Sequence, residues 1–466
     1  MARDQLIVTY PRIPVGAQLV SVFNEASYVI EKNGTTYNAV NGTTGAVDYT
    51  GTNAATVINN AITAINTAGG GKLFIKAGTY TVTASIVPKS KVSIIGEGRG
   101  TILAGSGTGF SVFEAAGVVG TPLTDIVIRD LMIDGTLLID ASYDVTTKGI
   151  FMTFLKRCFF QNLYVYNTPA TGIGTDYMVD CFIHNCVVDT AGRQFDGTVG
   201  GNGIGIGTGK YANENLVISD CHTLNCGNNG VMVEQQTDVL QSKYIIISNC
   251  IAIDCNRGFR NSGCAKVKFI NCIAESNTLD GFLISNNTAT LKGKETIIAF
   301  CSANNNGDNG IEIGDDSANE VIFQIIGCEV YNNTTHGIRL KNSQHIVSGN
   351  FIYNNGRCGI RNYSSSVTVT DIQILGNQIF NNGQAVVASE TSGIKLEEVG
   401  TGTNNNVLIA NNRVYDNQGS KTQTHGVTVT GDNDRLTLVN NDLVGNLTAA
   451  TSLTAGTNTI NANNQT

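Results

Sequence analysis

The chain has 466 residues, only 14% of them charged, and a formal net charge of -8. That balance argues against a nucleic-acid protein, which carries a basic surplus. No stretch is apolar for long enough to span a membrane, and the opening Met1-Ala2-Arg3-Asp4-Gln5-Leu6-Ile7-Val8 lacks the apolar run of a signal peptide.

In chain order, residues 1–52 form an extension without a repeat. Gln18-Leu19-Val20-Ser21-Val22-Phe23 and Ser27-Tyr28-Val29-Ile30 predict strands, and Asn33-Gly34 predicts a hairpin turn. A capping helix is predicted over 53–67. Val57, Ile58, Ala61, Ile62 and Ile65 share one face, and Gly69-Gly70-Gly71 stops it. Such a helix would cover the open end of the first coil, which otherwise exposes a sheet edge.

From Lys72-Leu73-Phe74-Ile75 to about Asn446 the chain is repetitive. One column reads Cys158, Cys181, Cys221, Cys250, Cys272, Cys301 and Cys328, then Asn350, Asn377, Asn412 and Asn441. Five residues later a second reads Cys186, Cys226 and Cys255, then Asn277, Asn306, Asn333, Asn355, Asn382, Asn417 and Asn446. A third is a glycine before an apolar residue, from Gly172-Ile173 through Gly258-Phe259 and Gly337-Ile338 to Gly426-Val427. Cys250 to Cys272 spans 22 residues and Cys272 to Cys301 spans 29. Helix-pair repeats need about 33 or more. Segments such as Val217-Ile218-Ser219 alternate with the period of strands, with Gly and Asn at corners that need left-handed backbone. Proline is scarce, as expected where each strand donates to both neighbours. The reading is an all-β fold, a parallel β-helix over 53–446, right-handed because parallel crossovers are. Residues 447–466 form a small, polar C-terminal tail.

Coils stacked about 4.8 Å apart pile identical side chains into ladders. Inward asparagines bond to one another and to turn backbone. Either Asn354 and Asn381 or their neighbours Asn355 and Asn382 are expected to be the buried pair. Tyr331, Tyr353, Phe380 and Tyr415 share a further, aromatic slot. Stacked cysteines have parallel Cβ vectors, so the twelve cysteines are expected to be free and buried.

The stretch Ala61-Ile62 through Gly69-Gly70-Gly71-Lys72-Leu73-Phe74-Ile75, with Gly78-Thr79-Tyr80 and Val92-Ser93-Ile94-Ile95-Gly96-Glu97-Gly98, resembles the pectate-lyase-like right-handed parallel β-helix superfamily. That superfamily includes polysaccharide lyases, polygalacturonases, alginate epimerases and phage tailspikes. The Asp-Pro-His motif of the epimerases is absent. Polygalacturonases carry Asp-Asp, then His-Gly, then Arg-Ile-Lys; here stand Asp315-Asp316, His336-Gly337 and Arg339-Leu340-Lys341. The order departs from that pattern, since Asp315-Asp316 follows its Gly-Ile strand and the basic residues share a strand with His336. The plain alternative is a solvated turn at Asp315-Asp316 and a corner residue at His336.

After each Gly-apolar pair the next residue points outward. The outward slots are Met232, Arg260, Leu283, Glu312, Arg339, Arg361, Lys395 and Thr428, and two residues on Glu234, Ser285, Lys341, Tyr363 and Glu397. In the superfamily this face carries the sugar groove. The resemblance therefore implies that Arg260, Arg339, Lys341, Arg361 and Lys395 bind an acidic polysaccharide, with Glu312, Asp315, Asp316 and Tyr363 as catalytic groups of a lyase or hydrolase. A bland alternative is a salt-bridged sheet face, Glu312 pairing with Arg339 across one coil gap. The stripe predicts that Arg339→Ala with Arg361→Ala abolishes binding without lowering the melting point.

From Cys181 to Cys221 the spacing swells to 40 residues, so an insertion leaves the coil near 190–213. It holds Arg193, Gln194, Phe195, Asp196 and a glycine run, and loops of this kind form binding-site walls. A second excess lies between Asn377 and Asn412. The histidines show no metal-ligand spacing, and no metal or other cofactor is expected. The rival to a glycan enzyme or tailspike is a structural or adhesive β-helix of a virion or fibre. The expected partner is a polysaccharide, not nucleic acid or membrane, with a homo-oligomer, a trimer in the tailspike case. Without a signal peptide the expected location is cytoplasmic or virion-associated.

Overall fold

The computed structural model describes residues 26–466 apart from 212, 238–239, 287–292, 315–321, 342–343, 365–368, 388, 399–402 and 455. Its described strands form one sheet of 29 strands and one of 14, wound as stacked parallel coils. A typical coil runs Ile245–Ser248, Ile251–Ile253, then Arg257–Ser262, the last in the 14-stranded sheet. The core is a set of columns along the axis. Ile247, Phe269, Ile298, Ile325, Val347 and Ile374 are successive register partners and all are buried.

The corners follow one rule. A residue in left-handed backbone is followed by the inward ladder residue. Asn271 (φ 52°) precedes Cys272, Asn354 (φ 54°) precedes Asn355, and Asn381 (φ 55°) precedes Asn382. Asparagine tolerates that backbone better than most residues. This settles which asparagine of each pair is inward: Asn355 and Asn382 are fully buried. Asn306 donates to Asn333 at 2.9 Å, Asn333 to Asn355 at 3.0 Å and Asn355 to Asn382 at 3.0 Å. The next rung is a correction. Asn417 is exposed, and Gln423 takes its place, accepting from Asn382 at 3.1 Å and donating to Asn446 at 2.8 Å. Asn417 sits where the chain detours before re-entering the sheet, and the longer glutamine reaches back to the ladder.

All twelve cysteines are free and buried. Tyr331, Tyr353, Phe380 and Tyr415 stack with ring centroids 4.9, 4.9 and 5.2 Å apart. The glycine column is required by close packing: a Cβ on Gly337 would meet the Gly359 carbonyl oxygen and Ile352 at 2.6 Å.

At the N-terminal end the described strands Tyr28–Asn33 and Thr36–Asn41 form an antiparallel hairpin across Asn33-Gly34. The first also pairs in parallel with Gly71–Ile75. Gln18–Phe23 lies outside the described residues. The helix is Ala54–Thr67, with the Asn53 side chain accepting from the Thr56 amide at 3.0 Å, and it buries Val57, Ile58, Ala61, Ile62 and Ile65. At the other end the stacking runs past Asn446. Ala449–Leu453 pairs with His425–Thr430, Ile460–Ala462 pairs with Asn433–Val439, and Asn464 accepts from Asn441 at 2.9 Å. Segment 447–466 thus carries strands where a polar tail was expected.

Candidate functional site

The outward columns of the 14-stranded sheet follow from its register. Gly174, Gly205, Met232, Arg260, Leu283, Glu312, Arg339, Arg361, Lys395 and Thr428 are successive partners. Two residues along each strand lie Asp176, Gly207 and Glu234, and further on Tyr363 and Glu397. One face therefore brings Arg260, Glu312, Arg339, Arg361 and Lys395 into line. Asp315 and Asp316 lie outside the described residues.

On the C-terminal half of this face the cations have anionic partners. Glu312, 8% exposed, meets Arg339 at 3.3 Å and Lys341 at 3.1 Å. Arg361 meets Glu390 at 2.8 Å and Glu397 at 2.7 Å, and Lys395 meets Glu397 at 3.0 Å. Tyr363 lies under the Arg361 guanidinium, 4.9 Å from ring centroid to Cζ. His336 is buried, with Nε2 3.3 Å from Arg361. Burial, then the field of Arg361 and Arg339, pushes its pKa far down and keeps the ring neutral. Burial alone would raise Glu397, but hydrogen bonds from Lys395 and Arg361 bring it below the ordinary carboxylate value.

In the middle of the face, one oxygen from each of Asp280, Asp308 and Glu312 lies within 4.8 Å of the others. Asn309 bridges them, donating to Asp280 at 3.1 Å and to Glu312 at 2.6 Å. Arg257 reaches Asp280 at 3.3 Å. Burial first, then Glu312 and Asp308, pushes Asp280 up to about 6.

The N-terminal half is a cleft of about 210 Å³. Its floor is glycine at 174, 205 and 207, and the vacancies are occupied sideways. A Cβ on Gly174 would meet Lys148 Cδ at 2.8 Å, and one on Gly207 would meet Asp176 Oδ1 at 2.3 Å. The Asp176 carboxylate accepts from the Gly207 amide at 3.1 Å and from Gln236 at 3.3 Å. The excess ahead of Cys221 does not leave the coil throughout: Ile204–Thr208 is a regular rung of the sheet, so the looped-out part before it is 190–202, and its Thr198, Val199 and Gly200 line the cleft together with Arg260 and Glu234. That segment is braced. Tyr143 donates to the Val199 carbonyl at 2.6 Å, Phe195 packs edge-on against Tyr143 at 5.7 Å, and Arg193 donates to the Leu138 carbonyl at 2.7 Å. In the cleft burial raises Asp176, with Lys148 opposing the shift. Burial also raises Glu234, with Arg260 opposing and Asp176 adding to it. The same burial lowers Lys148, with Asp176 opposing. Titratable groups perturbed together in a cleft mark candidate chemistry.

The sequence pattern reached Arg260 and Glu234 but missed Lys148, Asp176 and Asp280. The rule that placed Met232 outward, carried two coils upstream, puts Gly174, Asp176, Gly205 and Gly207 on the same face. Asp280 lies in the turn just ahead of its strand, where the two-residue alternation carries no signal.

This fold and face define a right-handed parallel β-helix protein with a cleft and a charged track on one sheet. Residues 143–324 and 292–466 match the family model of the right handed beta helix region, and the chain belongs to that family. No curated protein matches the sequence significantly. Among solved structures, the chain is similar to the tailspike protein of E. coli bacteriophage HK620 in complex with a hexasaccharide. Identity there is 12% and the TM-score 0.61, over 87% of this chain and 76% of the tailspike. Two weaker likenesses both have a TM-score of 0.49. An Azotobacter vinelandii mannuronan C-5 epimerase A-module is 20% identical, over 88% of this chain and 95% of its own. A Thermotoga maritima exopolygalacturonase is 12% identical, over 76% and 87%. At such identities the tailspike likeness speaks for the fold alone, and the other two add nothing to it.

Proposed function

We propose that this protein binds a polysaccharide along the outer face of its 14-stranded sheet and hydrolyses it in the Asp176–Glu234 cleft. One observation carries the reading: Asp176 and Glu234, both raised by burial, stand in one outward column with only Gly207 between them, and the Asp176 carboxylate reaches over Gly207. They lie two coil steps apart, about 9.6 Å between backbones at ~4.8 Å per step. The Asp176 carboxylate leans over Gly207 toward Glu234, which shortens the gap from its side, and glycosidases place their two carboxyl groups about 5–9.5 Å apart. Asp176 accepts two hydrogen bonds and lies near Lys148, which favours its ionised form, so it is assigned the base that activates water. Glu234 is assigned the acid that protonates the leaving oxygen. Arg260, Arg339, Lys341, Arg361 and Lys395 are assigned the track that holds an acidic chain. A tailspike of the same fold solved with a hexasaccharide is consistent with a glycan on this architecture.

A second reading rests on Lys148. A buried lysine of lowered pKa, in the cleft that Arg260 also lines, could remove the C5 proton of a uronate in a lyase reaction. The test is incubation with uronate-containing and neutral glycans, read by new reducing ends and by absorbance of unsaturated products. Hydrolysis gives reducing ends alone, lost in both Asp176→Asn and Glu234→Gln. Unsaturated products that vanish in Lys148→Met would move the assignment to a lyase. No cleavage of any glycan would leave an adhesive or structural β-helix.

A further inference from the structure

The face carries a second cleft, of about 410 Å³, at its C-terminal end. Its floor continues the same outward column, with Lys395, Thr428 and Ser452 as successive partners. Its lining includes segments leading into the strands, the same sheet edge from which Thr198, Val199 and Gly200 line the first cleft. Val386 and Leu447 are among its lining residues. The Thr428 hydroxyl shares a hydrogen bond with Ser392 at 2.7 Å, and the Thr430 hydroxyl is buried with no partner among the described residues. Lys395 is 3% exposed.

We propose that this cleft holds a remote sugar unit of the same polysaccharide whose bond is cut between Asp176 and Glu234. The inference rests on the hydrolase reading above and adds a second point of attachment. A sugar ring has an apolar C–H face and an edge of hydroxyls. The cleft offers aliphatic groups, hydroxyls on its floor and the buried Lys395 ammonium, which Glu397 holds at 3.0 Å and which an acidic unit would share. The spacing is set by the coils. From the strand of Glu234 to that of Lys395 is six steps, about 29 Å at ~4.8 Å each. At about one sugar per coil, a chain must be about seven units long to touch both clefts. Shorter chains reach one cleft at a time, and the second contact then adds affinity through effective concentration.

The test is calorimetric titration of the full chain with size-graded oligomers, from two to about twelve sugars, of hyaluronan, polygalacturonate and polymannuronate, with dextran oligomers as the neutral arm. The expected result is an affinity nearly flat up to about six units, then tighter by about tenfold or more at eight. Two variants locate the gain. Lys395→Met removes the buried ammonium. Val386→Glu puts a carboxylate at the mouth, at a position 71% exposed where folding is not at risk. Both should bring the eight-unit affinity down toward the three-unit value. A gain with length that survives in both variants overturns the remote cleft while leaving the hydrolase reading standing, as does an affinity that never rises with length. Absence of binding to every oligomer overturns the hydrolase reading and this inference with it.

Discussion

Asp176 and Glu397 stand in the same outward slot of the same sheet, and both are largely shielded from water, yet they are opposite kinds of carboxylate. Burial raises Asp176 because its nearby cation does not fully offset the loss of water. Glu397 receives direct bonds from Lys395 and Arg361, which outweigh its burial. Desolvation disfavours a charge, and only close partners reverse that. The cleft half of the face therefore keeps carboxylates poised to exchange protons. The track half pairs its carboxylates with arginines and lysines, and at Glu397 those partners hold the pKa below the ordinary value.

The largest effect that could break this contrast is catalytic. Asp176→Asn and Glu234→Gln should each lower the rate of glycan cleavage by about 10²–10⁴-fold, the usual worth of a positioned acid or base. Neither should lower the melting temperature, because each removes a carboxylate whose charge is costly where it lies. The pH–rate profile of the wild type should be bell-shaped, with both limbs moved upward from the ordinary carboxylate range. Full activity in both variants would show that the chemistry lies elsewhere on the face, with the Asp280–Glu312 cluster the next place to look.

In the track the expectation reverses. Arg339→Ala with Arg361→Ala should weaken binding of an acidic chain, and it should also destabilise the protein, by about 1–3 kcal/mol. The register of the strands alone suggested an unchanged melting point. Glu312, Glu390 and Glu397 alter that, since each is nearly buried and loses a cation in the double variant. Thermal melts of the double variant decide the matter, and an unchanged midpoint would mean that these ion pairs contribute nothing.

A third test acts on the floor. In Gly207→Ala the new methyl would lie 2.3 Å from Asp176 Oδ1 and 2.2 Å from Gln236 Nε2, both at the ends of flexible side chains. The fold should absorb this cheaply, but the carboxylate must move. Cleavage should drop by about tenfold while the melting point stays put, because displacing a positioned base by a fraction of an ångström is enough. A kcat indistinguishable from wild type would separate Asp176 from the reaction.

The ladders explain why so much of the fold was legible. Each coil repeats one demand, a left-handed corner followed by an inward residue that bonds to the next coil, so Asn354-Asn355 and Asn381-Asn382 announce themselves in the sequence. The stripe was legible for the same reason, because alternation fixes which side of a strand a residue takes. What was not legible comes from outside the strands. Glu390, which bonds the stripe, lies in a turn that obeys no period, and Asn309 repeats in the slot before the glycine column without a signal of which charged neighbour it will bond. Lys148 and Asp176 lie in a cleft lined by Thr198, Val199 and Gly200 of the looped-out segment 190–202, and nothing in a coil's own pattern says where an insertion will lean. Gln423 replaced Asn417 in the ladder for a related reason, since a detour in the chain shifts which residue reaches the slot.

The smallest expected effect tests the contrast through stability rather than activity. Glu214 is fully buried just ahead of Leu216–Ser219 of the 29-stranded sheet, where the Ser242 hydroxyl donates at 2.8 Å and the Lys243 amide at 3.1 Å. These bonds only partly offset burial, which pushes its pKa up to about 7. The folded protein thus binds a proton more tightly here than the unfolded chain does. Its contribution is fully present below the unfolded carboxylate value and is lost as pH rises through about 7. Glu397 runs the other way. Its folded pKa is depressed, so its contribution is present above the unfolded value and is lost as pH falls through the folded one. Melting curves across this pH range should separate the two. Glu214→Gln should flatten the decline in stability between about pH 4.5 and 7 and leave the acid limb unchanged. Glu397→Gln should flatten only the acid limb. The same pH profile in both variants would mean that burial at Glu214 and ion pairing at Glu397 do not set the two carboxylates apart.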